Sequence, residues 1–178
     1  MESVNHEISV YKLIKFKTGE LQELTKSTKN AIDAGMGFGW VNMPTEEKLN
    51  LYWKGVLLVP NRWLFVGYFD GIIAGSIQVV TSTPSGEASN FRVSIDTHFV
   101  ATWARGHGLA RALIEKAENE ALINGYSLVL LDVRESQERA IKLYEQMNYI
   151  RWGTLPNYHK IGNNKMVAGH YYYKNIKE

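Results

Sequence analysis

The sequence predicts an α/β (α+β) chain built on a mixed, mostly antiparallel sheet of about seven strands with a central parallel pair, flanked by about four helices. Three observations carry that expectation. Asp70-Gly71 lies between the strand-like runs 63–69 and 72–82 and is the strongest short hairpin signal present. The run 91–100 stops at a glycine-bearing loop, becomes an amphipathic helix and is followed by Leu128-Val129-Leu130-Leu131. A strand, helix and strand in that succession make a parallel, right-handed crossover. Finally, the complete order reads β-α-α-β-β-β-α-β-α-β-β with no repeat, low-complexity stretch or linker, so residues 1–178 are expected to form one domain.

Residues 8–16 read as the first strand. Thr18 is placed to cap a helix whose apolar positions include Leu21, Leu24 and Ile32. Segment 34–40 then interleaves three glycines with Met36, Phe38 and Trp40. Pro44 suits the first turn of a second helix, with an inner stripe of Leu49, Tyr52 or Trp53, and Val56. After the hairpin, Pro84-Ser85-Gly86 turns the chain into the 91–100 strand. Simple alternation puts Phe91, Val93, Ile95 and Phe99 on one face, with Arg92, Ser94, Asp96 and His98 on the other. The next helix carries Leu109, Leu113, Ala117 and Ala121 as its stripe and stops at Asn124-Gly125. The continuous apolar run from Leu128 suits a strand covered on both faces. Ser136 is expected to cap the fourth helix, and runs 149–158 and 166–176 close a last hairpin around Gly162-Asn163-Asn164.

Composition excludes several functions. With 178 residues and 45% apolar content the chain can bury a sizeable core. A net charge of +2, with no basic run or basic aromatic stripe, argues against nucleic acid as a partner. No charged start leads into an apolar stretch, and no apolar run is long enough to span a bilayer, so a cytoplasmic protein without a membrane partner is expected. Cysteine is absent, which removes disulfides and any acyl intermediate on a thiol. The five histidines show no close ligand spacing, so no metal is expected.

Arg105-Gly106-His107-Gly108-Leu109-Ala110 is the segment with the clearest chemistry. A strand that turns through glycines into a helix leaves backbone N–H groups unpaired at the positive end of the helix dipole, a ready cradle for phosphate. The loop lacks the third small residue of a dinucleotide fingerprint, where Arg111 stands, and the Gly-Lys-Ser/Thr of a Walker loop. Alone, it fits an unused turn equally well.

Val100, Arg105, Gly106, Gly108 and Ala110, followed by Ala140, Leu143, Tyr144 and Tyr149, resemble the signature of the GNAT superfamily of acetyl-CoA-dependent N-acetyltransferases. The resemblance is close over residues 99–158 and loose elsewhere. It implies that acetyl-CoA is the co-substrate, that Arg105, Gly106, His107, Gly108, Leu109 and Ala110 hold its pyrophosphate, and that the backbone of Phe99 and Val100 pairs with the pantetheine arm. It also implies that Tyr144 protonates the departing thiolate; packing on the helix's apolar face with Ala140 and Met147 is the competing reading. Two departures stand out: Asn148 replaces the usual glycine after the tyrosine helix, and Gln137 stands where asparagine is common.

For the base, Asp132 ranks first, Asp96 second and His98 third. Phe38, Trp40, His98 and Tyr158 are the candidates for the acceptor pocket, with His159 beside them. The hairpin stretch 153–158 and the tail 172–174 are similar to the tabtoxin-resistance acetyltransferase subgroup, which implies a small-molecule amine, amino-acid-like or antibiotic-like, as acceptor. A non-catalytic acyl-CoA sensor and a protein N-terminal or lysine acetyltransferase are the alternatives, and a homodimer is left open.

Overall fold

A computed structural model describes residues 5–35, 39–83 and 86–177. Phe38, expected in the acceptor pocket, and the Pro84-Ser85 turn lie outside the described residues. Seven strands and four helices follow one another as β1 (Ile8–Leu13), α1 (Glu20–Asp33), α2 (Glu46–Val56), β2 (Arg62–Phe69), β3 (Ile72–Thr81), β4 (Arg92–Val100), α3 (Leu109–Ile123), β5 (Leu128–Arg134), α4 (Glu138–Gln146), β6 (Ile150–Lys160) and β7 (Met166–Asn175). The sheet order is β1-β2-β3-β4-β5-β7-β6. Among the described residues, only β4 and β5 pair in parallel. The expected mixed sheet with its central parallel pair is therefore present.

Local chemistry explains most of the elements. Asp70 and Gly71 both adopt positive φ, 50° and 81°, as a two-residue turn matched to strand twist requires. Leu109, Leu113, Ala117 and Ala121 are all buried, so the apolar stripe of α3 is the face laid on the sheet. Fully burying one such leucine contributes about 2 kcal/mol. Asn148 takes the left-handed turn after α4 at φ 65°, the role a glycine would otherwise fill.

Three helix starts differ from expectation. Thr18 caps nothing in α1; the N-cap is Gly19, and the Glu20 carboxylate instead accepts the Lys17 N–H at 2.7 Å. Pro44 precedes α2 rather than opening it, because Thr45 is the cap and accepts from the Lys48 N–H at 3.3 Å. Helix α4 begins after Gln137, without a side-chain cap from Ser136.

Two apolar layers sandwich the sheet. Val93, Ile95, Val100, Leu113 and Tyr144 belong to the layer under α3 and α4. Leu24, Trp53, Val66 and Phe99 belong to the layer under α1 and α2. That division exposes the main correction to the alternation expected along β4. Residues Thr97 and His98 together face the single residue Ile77, since the register runs Gln78↔Asp96 and then Ser76↔Phe99. This β-bulge carries Thr97 to φ 48°, uncommon for a β-branched residue, and inverts every side chain after it. Phe99 therefore leaves the Val93–Ile95 face for the opposite layer, and His98 turns toward α4.

Strands β4 and β5 pair only from Arg92↔Leu128 to Ser94↔Leu130. Beyond Ser94 they part, with β4 running on to Val100 and β5 to Arg134. The carboxyl ends of the two strands thus frame a wedge in the middle of the sheet, where ligands of open α/β sheets collect.

Candidate active site

The wedge opens into a cleft of about 1050 Å³, lined by Phe99, Val100, Arg105, Gly106, Gly108, Leu109 and Ala110 among others. Seven of the eight residues expected around a CoA molecule therefore share one wall. The eighth, His107, turns its ring toward His6 (centroids 4.6 Å apart) and Phe69 (4.8 Å), which leaves it only a backbone contribution.

Gly106 and Gly108 hold φ of 86° and 87°, and Gly108 is the N-cap of α3. A Cβ would meet nothing within 4 Å at Gly106 and only Ile8 Cδ1 at 3.8 Å at Gly108. The glycines are thus required by backbone conformation, and the space above them stays open. The first amide closing onto the loop is Ala112, whose N–H donates to the Gly108 carbonyl at 3.0 Å. The amides of Leu109, Ala110 and Arg111 precede it at the positive end of the dipole.

Arg105 supplies the strongest sign of an anion site. Its Nε donates to the Val100 carbonyl at 3.0 Å, which folds the side chain back over the end of β4. Its Nη2 is buried with no hydrogen-bond partner. Burial first, and the like charge of Arg139 second, disfavour its charged form. An unsatisfied buried donor costs about 1–3 kcal/mol. A diphosphate would both neutralise the arginine pair and fill that vacant donor, so these residues fit CoA.

A second space of about 460 Å³ adjoins the cleft, with Asp96, Asp132, Tyr144, Tyr158 and His159 on its walls. Four residues, His98, Arg134, Gln137 and Ala140, line both spaces and mark where they meet. Trp40 lies on the larger cleft, edge-on to Tyr52 at 6.3 Å, rather than in the smaller pocket. Tyr158 packs against Tyr171 at 5.3 Å and His159 at 4.3 Å.

The two carboxylates differ in their surroundings. Asp96 accepts from Arg62 at 2.7 Å and from the Thr97 hydroxyl at 3.2 Å. Asp132 lies 3.7 Å from His159 Nε2 and also interacts with the Tyr158 hydroxyl. Asp96 is thus tied to an arginine, whereas Asp132 faces a histidine and a tyrosine.

Tyr144 is 4% exposed, and its hydroxyl lies 3.0 Å from His98 Nδ1. Burial, and then the negative charge of Asp132, hold its phenol well above the usual range, so it stays protonated. Burial pushes His98 the other way, down to about 4, with the Ala110 carbonyl opposing the shift. The imidazole is thus neutral at neutral pH and too weak a base to deprotonate an ammonium ion.

A pH dependence of stability follows. His98 falls from 6.5 to about 4 on folding, so the unfolded chain binds a proton first as the pH drops. Stability from this group is complete above about pH 6.5 and declines down to about pH 4, by up to ~3 kcal/mol. Thermal melts between about pH 7.5 and pH 4.5 should show wild type losing more stability than His98→Asn. Equal slopes would remove His98 as the cause.

Sequence reasoning missed Arg134 and Arg139. Arg134 and Gln137 both donate to the Gly35 carbonyl at 3.1 Å, tying the end of α1 to the start of α4 across the cleft. Gln137 thus has a protein partner in its unusual position. Arg134 could have been read from its place two residues after Asp132, on the same face of β5.

Comparison with known proteins agrees with this geometry. Residues 31–149 match the sequence model of the acetyltransferase (GNAT) family. An uncharacterized N-acetyltransferase from the hisH-hisA intergenic region of Azospirillum brasilense is 47% identical over 133 residues, 75% of this chain and 79% of that protein. An N-acetyltransferase from Staphylococcus aureus Mu50 superimposes with a TM-score of 0.77 at 21% identity, covering 97% of this chain and 99% of its own. A putative acetyltransferase from Salmonella typhimurium, solved with its cofactor acetyl-CoA, has a TM-score of 0.75 at 12% identity, covering 96% and 95%.

Proposed function

This chain belongs to the GNAT family of acetyltransferases, and on that premise we propose that it moves the acetyl group of acetyl-CoA directly to the amine of a small, amino-acid-like or antibiotic-like molecule. Acetyl-CoA-dependent acetyl transfer is the family's chemistry; the acceptor, the roles of the individual side chains and a single cytoplasmic domain, monomeric or homodimeric, are our reading.

One observation carries it: a cleft with an anion cradle at one end meets a smaller charged pocket at residues His98, Arg134, Gln137 and Ala140. Acetyl-CoA supplies the thioester. Its pyrophosphate is assigned to Arg105 and the 106–110 backbone, and its arm to the stretch of β4 at Phe99 and Val100, past the last β4–β5 pair at Ser94↔Leu130. The smaller space, about 460 Å³, suits a compact ligand. Asp132 there favours a cationic amine, and Arg134 at its mouth offers a partner for a carboxylate, in keeping with the tabtoxin-resistance subgroup that the C-terminal hairpin resembles.

Protons then balance as follows. Asp132, directly or through water, takes the ammonium proton and frees the nitrogen lone pair. Nitrogen forms the C–N bond as the C–S bond breaks, and sulfur leaves with the electron pair. Tyr144 donates its hydroxyl hydrogen to that sulfur; the nitrogen, which carries one proton more than an amide holds, returns that proton to the phenolate directly or through water, and Asp132 passes its own proton to solvent.

Thiol release with a panel of small amines and peptides tests the proposal. Turnover on free amines that exceeds turnover on peptides is expected. Peptides outperforming amines would turn the reading to a protein acetyltransferase, and binding of acetyl-CoA without any turnover to a sensor. Asp132→Asn should lower kcat/KM for the acceptor about tenfold or more at neutral pH while leaving acetyl-CoA affinity unaltered. Wild-type kinetics in that variant would eliminate Asp132 as the base.

A further inference from the structure

The bulge at Thr97 does more than reshape β4. Without it, His98 would face α1 and α2; with it, His98 Nδ1 reaches to 3.0 Å from the Tyr144 hydroxyl, across 46 residues of sequence. The two rings lie 5.9 Å apart at 51°. The rest of the Tyr144 ring is wedged by Tyr149 at 5.6 Å and Tyr172 at 6.4 Å, which fixes the plane but not the direction of the O–H bond. Only His98 forms a hydrogen bond to that oxygen among the described residues. His98 Nε2 is sealed from solvent, and besides the Tyr144 hydroxyl the imidazole meets the Ala110 backbone. His98 also lies where the cofactor cleft and the acceptor pocket join.

We infer that His98 is a positioning residue for Tyr144, anchoring the phenol oxygen so that its remaining hydrogen-bonding capacity faces the sulfur leaving the thioester. The inference rests on the proposed role of Tyr144 in donating to that sulfur. It assigns His98 neither the proton of the amine nor contact with the acceptor. A hydroxyl has one donor and two acceptor sites. The role requires the tautomer in which His98 Nδ1–H donates to the phenol oxygen, which leaves the hydroxyl hydrogen to be donated to the sulfur. Burial keeps both groups neutral, so the pair does not collapse into an imidazolium and a phenolate.

A double-mutant cycle reads this directly. His98→Leu and His98→Asn are made alone and together with Tyr144→Phe, with kcat, KM for acetyl-CoA and melting temperature measured for each. His98→Leu should lower kcat about tenfold while KM for acetyl-CoA stays within about twofold. His98→Asn, whose amide falls near the place of Nδ1, should restore most of that loss. In the Tyr144→Phe background neither substitution should cost further turnover, because no hydroxyl remains to be held. Losses that multiply in the double variants, or an asparagine variant as impaired as the leucine one, would overturn the inference while leaving the role of Tyr144 intact. Undiminished turnover in Tyr144→Phe alone would overturn both.

Discussion

Replacing Tyr144 with phenylalanine should lower kcat by about two orders of magnitude while acetyl-CoA binds as before. The substitution removes one oxygen from a side chain that is 4% exposed and leaves its ring contacts in place. Cofactor affinity should hold because the groups proposed to hold the pyrophosphate, Arg105 and the start of α3, line the larger cleft, and Tyr144 is not among its lining residues. On the proposed mechanism, what disappears is the donor that meets charge developing on sulfur. That interaction is stronger in the transition state than in the ground state, so its loss should fall on kcat. The orphaned His98 Nδ1 should also reduce stability by about 1–2 kcal/mol. Turnover must therefore be measured well below the variant's melting temperature. Wild-type kcat in Tyr144→Phe would exclude the phenol from the reaction and return it to a packing role.

The second large effect is expected at Gly108. Gly108→Val should weaken acetyl-CoA binding at least about tenfold, because a β-branched residue at φ 87° is strained by about 1–3 kcal/mol and the loop must relax. Relaxation rotates the amides of the first turn of α3 away from their common point, and the phosphate site goes with them. Crowding is not the cause, since a Cβ there meets only Ile8 Cδ1 at 3.8 Å. Gly108→Ala separates the two explanations: it adds almost no bulk but meets the same backbone conflict, so it should reproduce much of the loss. Calorimetric titration with CoA measures it. Undiminished affinity in the valine variant would show that the diphosphate binds elsewhere.

The features that could be read early are those governed by neighbours in sequence. The Asp70-Gly71 turn, the α3 stripe and the left-handed exit at Asn148 each depend on the conformational preferences of a few adjacent residues, and each is present. Helix starts were less legible. Thr18 and Ser136 are good caps in isolation, yet Gly19 and Gln137 occupy the N-cap positions of α1 and α4, because packing on the sheet sets where each helix must begin. The glycine loop before α3 is legible for the same local reason as the turns. Its alignment with Phe99 and Val100 along one cleft agrees with the resemblance to the acetyltransferases, whereas His107 points away.

From the order of residues alone came the seven-strand mixed sheet, the crossover that makes β4 and β5 parallel, and the glycine turn before α3. All of these follow from hydrophobic period and backbone preference, which act over a few residues. The bulge at Thr97 has no such signature, since threonine disfavours positive φ; it arises because Ile77 on β3 must face two residues of β4 at once. That register turns His98 onto Tyr144 and sends Phe99 to the opposite layer. The bridge from Arg134 and Gln137 to Gly35, about a hundred residues earlier, is likewise a product of assembled layers. Such contacts depend on how far one strand slides past another and on how two helices settle across a sheet, energies that exist only once the chain has closed on itself.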